Sequence, residues 1–142
     1  MSNVIFVKTD ASLERGTGMG ISYVAEVTHS GTMIDKYEDS KFIQCNTNST
    51  TAELSAFVYG VVQVTKKVDS CSEYRIVLES DCEFVIDKYE EGLKHHDERI
   101  GKTVSMLLQK YKADHARWIP RATNQRADSL AKVALMRGTE ND

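Results

Sequence analysis

The sequence predicts an α/β fold, and three features carry that expectation. In the second half of the chain, short β-rich runs alternate with longer stretches of helical spacing, as in domains whose helices cover a sheet. The first third holds three extended runs joined by turn residues, which reads as an antiparallel meander. The chain has 142 residues, 41% hydrophobic and 27% charged, which suits one globular domain and excludes a disordered or repeat-built protein. We place that domain at residues 1–137, with residues 138–142 as a flexible polar tail in the closing RGTEND run.

In chain order, Val4–Asp10 (VIFVKTD) has the β-branched and aromatic make-up of a buried strand and ends on a carboxylate; Ala11–Gly20, with three glycines, reads as a loop. A second strand follows at Gly20–Thr28, a turn at His29-Ser30-Gly31, and a third strand at Thr32–Ile43, irregular around Tyr37–Ser40. The polar run Gln44–Thr51 ends in helix-capping residue types. A helix over about Thr51–Lys67 then sets Leu54, Val58, Val61 and Thr65 on one face, with Phe57 and Val62 beside them and Glu53 in the first turn.

After a polar connection at Asp69–Glu73, Arg75–Ser80 (RIVLES) is a short buried strand. A strand that follows a helix favours a parallel partner, here the first strand. Asp10 and Asp81 then emerge at the same edge, where open α/β sheets bind ligands. Asp81–Tyr89 reads as a short helix, and Glu90–Arg99 is charged and contains His95-His96. Ile100, Val104, Leu107, Leu108 and Tyr111 mark a further helix, and a fifth strand at Ala116–Ile119 stops at Pro120. The closing helix has the stripe Ala127, Leu130, Ala131, Ala134 and Leu135, with Thr123 or Asn124 as its N-cap and Asp128 in about its first turn.

Cys45, Cys71 and Cys82 lack CxxC spacing, which favours reduced thiols over a disulfide or zinc site. The first strand starts almost at the first residue, and no apolar run reaches membrane-spanning length, so a cytoplasmic address without a membrane partner is expected. The net charge of −3 argues against binding nucleic acid through bulk charge alone. It leaves open a carboxylate site that binds cations first. Glu53 also suits the positive end of a helix dipole, and Asp128 a first-turn charge. Asp10 and Asp81, at the ends of buried strands, have no such ordinary role.

Four motifs occur in order at these acids: TDAS followed by GTGMG at Asp10, TTAELSAF at Glu53, LESDCEFVI at Asp81 and NQRADSLAKVAL at Asp128. With them the chain resembles, over nearly its whole length, the type 1 ribonuclease H family, in the style of its compact archaeal and reverse-transcriptase-like members. The resemblance implies a ribonuclease H-like fold: a mixed five-stranded sheet, three antiparallel strands then two parallel, with helices on both faces. It implies hydrolysis of the RNA strand of RNA–DNA hybrids by a two-metal-ion mechanism, with Asp10, Glu53, Asp81 and Asp128 binding two Mg²⁺ ions, or Mn²⁺ as a substitute, and Asp10 bridging them. It implies no obligate protein partner, and a monomer is expected. Ser12, Asn48 and Thr50 are candidate contacts to the hybrid, although turn chemistry accounts for them as well. Asn124 matches the family's asparagine four residues before the last acid, or is simply an N-cap.

The chain departs from the pattern in two places. Many members carry a histidine between the fifth strand and the last helix; here the segment is Pro120-Arg121-Ala122-Thr123. Arg121 cannot shuttle a proton, but it can hold a phosphate or water. The basic protrusion of larger members is reduced to Glu90–Lys112, where Lys94, Arg99, Lys102, Lys110 and Lys112 are diluted by acids, so a modest, salt-sensitive grip on the hybrid is expected. His95-His96 reads as a solvated turn. A proofreading-type exonuclease would need Asp-x-Glu in the first strand, where the chain has Asp10-Ala11-Ser12. The alternative from a different class is a non-catalytic module of the same fold that binds hybrid or a protein; loss of an acid would mark it, and all four are kept.

Overall fold

The computed structural model describes residues 3–69, 71–95 and 115–140. Five strands, β1 (Asn3–Glu14), β2 (Gly18–His29), β3 (Thr32–Gln44), β4 (Arg75–Ser80) and β5 (His115–Trp118), form one sheet in the order β3-β2-β1-β4-β5. The meander β1–β2–β3 is antiparallel, and β1–β4 and β4–β5 are parallel. Helices α1 (Ser49–Lys67), α2 (Glu83–His95) and α3 (Gln125–Glu140) flank it. The helix expected over Ile100–Tyr111, together with His96, Arg99, Lys102, Lys110 and Lys112, lies outside the described residues. Among the described residues no helix is long and apolar enough to cross a membrane, and Cys45, Cys71 and Cys82 are free thiols.

Strand alternation divides the sheet into two faces. Ile5, Val7, Ile21, Tyr23, Ala25, Val27, Ile76 and Leu78 are buried in the core with Phe57, Val61 and Val64 of α1 and Val85 and Tyr89 of α2. The Phe57 and Tyr89 rings meet edge to face at 5.7 Å and join the two helices. The face of α1 that packs differs slightly from the stripe expected. Ala56, Phe57, Gly60, Val61 and Val64 are buried, whereas Val58, Val62 and Thr65 are only partly so. The reason is Gly60, where a Cβ would stand 2.8 Å from Val7 Cγ1; its bare backbone rolls the helix onto β1.

Helix α3 lies on the opposite face, across the antiparallel half of the sheet. It continues to Glu140, so the segment expected as a tail from residue 138 is helical to that point, with Gly138 set against the Phe42 ring. The β2–β3 turn has positive φ at both Ser30 (52°) and Gly31 (86°), the mirror-image turn that suits a twisted hairpin. The irregularity expected at Tyr37–Ser40 lies instead at Ile34, an extra residue between the pairs Val27↔Asp35 and Thr28↔Met33.

A larger correction concerns β1. It does not end at Asp10 but stays paired with β2 as far as Glu14↔Gly18, and the turn is only Arg15–Thr17, with Gly16 at φ 80°. Gly18 and Gly20 are strand residues. A Cβ at Gly20 would stand 2.1 Å from Ala131 O and 2.7 Å from Leu135 N, so glycine there lets α3 rest on the sheet. Gly20→Ala is accordingly expected to destabilise the fold by about 1–3 kcal/mol. Chemical denaturation with an unchanged m-value would measure this; parent-like stability would mean that α3 does not seat on Gly20.

Candidate active site

The parallel pairing of β1 with β4 stops at Lys8↔Glu79. Two residues further along each strand stand Asp10 and Asp81, level with one another where the strands part. Asp10 is still held by β2, opposite Ser22, so the antiparallel hairpin carries it rigidly past the end of the parallel pair. Asp81 is the first residue after β4, and its carbonyl accepts the Trp118 indole N–H at 3.2 Å.

Glu53 comes from α1. That helix begins at Ser49, capped by Asn48, whose side-chain oxygen accepts the Thr51 N–H at 2.8 Å. The helix therefore starts two residues earlier than the threonines suggested, and Glu53 falls outside its first turn. A dipole role no longer explains it. Its Oε2 is buried without a hydrogen-bond partner.

Asp128 is the fourth residue of α3, brought to the site from the opposite face. Asn124 precedes that helix, and its carbonyl accepts the Asp128 N–H at 3.1 Å, the bond expected of an N-cap. Its side chain is not a cap. It is only 1% exposed, and its Nδ2 donates to Thr9 O at 3.0 Å, tying the start of α3 to the residue before Asp10.

The acids feel one another. Asp10 is 5% exposed, and its Oδ1 accepts the Ala11 N–H at 2.9 Å. Burial first, then a hydrogen bond with Asp128 and the charges of Asp81 and Asp128, push its carboxyl up to about 7 against the opposing Ala11 bond. Glu53 is pushed up to about 9, by burial first, then by the charge of Asp10, a hydrogen bond with it and the charge of Asp81. Burial also works to raise Asp128, but Lys132, 3.0 Å from its Oδ2, the bond with Asp10 and the charge of Arg121 hold it below its ordinary value. Among the described residues no three metal-ligating side chains close into a ready-made cage. The arrangement is a chain of interacting carboxyls with Asp10 at its centre.

Of the other candidates, Ser12 is half-buried on the same face as Asp10 and opposite Gly20. Asn48 is engaged in its cap, and Thr50 is half-buried in the first turn of α1. Arg121 is exposed in a 3-10 turn, close enough for its charge to act on Asp128. Asn124 is turned inward, which does not suit a contact with substrate. Sequence reasoning missed Ser22, a fully buried hydroxyl 2.5 Å from Ala127 O; nothing in the pattern of β2 marks it. Lys132 was missed as well, although its i,i+4 spacing from Asp128 is a signal that could have found it. A groove of about 520 Å³ on the α3 side of the sheet contains none of the four acids. Its charged groups are already paired, Lys8 with Glu26 at 3.0 Å and Arg117 with the buried Glu79 at 2.6 Å.

The sequence matches the reverse transcriptase-like family over residues 8–134. A search of curated proteins finds no match. Among solved structures, the chain is similar to an RNase H1 isolated from compost by a metagenomic approach, with 20% identity, a TM-score of 0.73 and coverage of 96% of this chain and 99% of that one. It is similar to the RNase H1 of the halophilic archaeon Halobacterium salinarum NRC-1, with 18% identity, a TM-score of 0.69 and coverage of 92% and 96%. The compost enzyme in complex with an RNA/DNA hybrid also matches, with 20% identity, a TM-score of 0.67 and coverage of 95% and 99%. At these identities the likeness establishes the ribonuclease H-like fold: the mixed five-stranded sheet with its helices.

Proposed function

Since the chain belongs to the reverse transcriptase-like family, we propose that it is a metal-dependent endoribonuclease that hydrolyses the RNA strand of RNA–DNA hybrids. The observation that carries this reading is the buried Asp10 carboxyl set among Glu53, Asp81 and Asp128, with both Asp10 and Glu53 driven well above the ordinary carboxylate range. Burying like charges together is unfavourable unless something of opposite sign is to be held there.

The donors fit a hard divalent cation: all are carboxylate oxygens, and Glu53 Oε2 is buried with nothing to satisfy it. Asp10, Glu53, Asp81 and Asp128 would hold two Mg²⁺ ions, or Mn²⁺ in their place. When bound, such ions activate an attacking water and stabilise the leaving oxygen of an in-line phosphodiester displacement. The protein groups supply the rest. Arg121, a fixed cation beside Asp128, orients a substrate phosphate. Lys132 keeps Asp128 ionised and ready to coordinate. Ser12, on the same face as Asp10, and Thr50, in the first turn of the helix that carries Glu53, are the candidate contacts to the hybrid, and selection for RNA comes from contacts to its 2′-hydroxyls, which DNA lacks.

The test is an end-labelled RNA–DNA hybrid incubated with Mg²⁺, with Mn²⁺ and with chelator, beside single-stranded RNA, double-stranded RNA and duplex DNA. Cuts inside the RNA strand of the hybrid that need metal are expected. Hybrid that is bound but left whole in both metals would point to a non-catalytic module, and cleavage that persists in chelator would rule out the metal reading.

A further inference from the structure

We propose that the Ser22 hydroxyl is a positioning group that sets the separation of Asp10 and Asp128, and so the affinity of the site for a divalent cation. This rests on the reading of the four acids as metal ligands. Ser22 lies directly opposite Asp10 in the β1–β2 ladder, is completely buried and points at α3. Its Oγ is 2.5 Å from Ala127 O and 3.5 Å from Asp10 O. A hydroxyl has one proton to donate, and the nearer acceptor takes it. Ala127 immediately precedes Asp128, so this single bond fixes the turn that carries one acid to the strand residue facing the other.

A second tether runs in parallel, from Asn124 Nδ2 to Thr9 O at 3.0 Å. It joins the residue before Asp10 to the residue that opens the turn leading to Asp128. One turn further along α3, the missing side chain of Gly20 lets Ala131 approach. The first two turns of the helix are therefore fastened to the sheet at three successive levels, and the two carboxyls lie between the fastenings.

A bland alternative is that Ser22 is only a buried polar residue whose hydroxyl happens to be satisfied. Asp10 and Ser40 stand opposite Ser22 on its two sides, yet its shorter bond runs past both to the helix. With Gly20 and Val24 along its own strand, an apolar side chain would fill the site without needing a partner. The hydroxyl is also spent on a carbonyl in the body of a helix, which the helical ladder already serves through its other lone pair. What the bond adds is the position of the helix rather than the satisfaction of an orphaned group.

Groups that orient metal ligands without touching the metal typically change affinity by about 10–100-fold when removed. The experiment is calorimetric Mn²⁺ binding to the full chain without nucleic acid, comparing the parent with Ser22→Ala, alongside thermal melting and with Asp10→Asn as the control for binding at this site. Mn²⁺ affinity lowered by about tenfold in a variant that melts close to the parent supports the proposal. Affinity within about twofold of the parent overturns it. Should the alanine variant fail to fold, Ser22→Cys, which fills nearly the same space with a poor donor, is read by the same criterion. A parent that binds no more Mn²⁺ than Asp10→Asn would overturn the proposal together with the metal reading. If Ser22→Ala weakens Mn²⁺ binding while the parent cuts no hybrid, the positioning role stands and the nuclease reading falls.

Discussion

Asp10→Asn is expected to lower hybrid cleavage by about a thousandfold and, at the same time, to raise the melting temperature of the metal-free protein at pH 8. The first effect follows from losing the central ligand. A metal that stabilises charge in the transition state contributes several kcal/mol, and about 4 kcal/mol corresponds to roughly a thousandfold in rate. The second follows from the surroundings of Asp10. It is buried beside three other acids, and its carboxyl is driven up to about 7, so at pH 8 the folded protein holds a charge that it would be more stable without. Asparagine has the same shape and keeps an oxygen to accept the Ala11 N–H now bound by Oδ1 at 2.9 Å. Its amide N–H groups also give the ionised Asp128 a donor where two carboxylates otherwise face one another. A gain of about 2 kcal/mol, or roughly 5 °C, is the expected size. Cleavage assays and calorimetric melting of one variant therefore read both signs. Retained cleavage would remove Asp10 from the metal site, and lost stability would show that its charge is structurally required.

The fold was legible where a local pattern is long and has one cause. The apolar run of β4 and the stripe of α3 needed no tertiary information, and the order of strand, helix and strand was enough to make β1 and β4 parallel and to put Asp10 and Asp81 level. The sequence misled where one residue type serves two purposes. Gly16, Gly18 and Gly20 together read as a loop, yet only Gly16 turns the chain; Gly20 is needed because Ala131 and Leu135, more than a hundred residues later, press on it. The same limit governs the site. Which acids approach one another followed from topology, but their fastenings did not. Ser22 reaches Ala127, and Asn124 turns away from its own helix to reach Thr9; both are contacts over more than a hundred residues, with no local signal. Glu53 changed meaning through a shift of two residues. With Asn48 as the cap, it leaves the first turn, and the ordinary explanation for an acid at a helix start goes with it.

The metal-free protein is expected to lose stability as pH rises from about 4 to about 9, and divalent cations are expected to restore it most at the alkaline end. The sign comes from proton counting. Asp10 and Glu53 have folded-state values of about 7 and about 9, above the 3.8 and 4.5 of the free groups. Below about pH 4 both are neutral, folded or unfolded, and their effect on stability is nil. Between the two sets of values the folded protein binds more protons than the unfolded chain, so each step up in pH favours unfolding. The loss is complete once the pH passes the folded values. For Asp10 a rise of about three units corresponds to about 4 kcal/mol, and Glu53 acts in the same direction. The two titrate as an interacting pair, so the fall should be one broad slope rather than two steps. Asp128, bound to Lys132, and Glu38 of β3, bound by Arg126 at 2.8 Å, are held below their ordinary values and act oppositely, but only in acid, where those bonds weaken as the carboxylates protonate. A cation competes with the protons for the same oxygens, so Mg²⁺ should hardly move the melting temperature at pH 5 and raise it clearly at pH 9. Melting curves over this range, with Mg²⁺ and with chelator, measure the difference. A chelator-treated protein that grows more stable toward pH 9 would mean that the buried acids are already compensated within the fold, and that no cation is needed to hold them together.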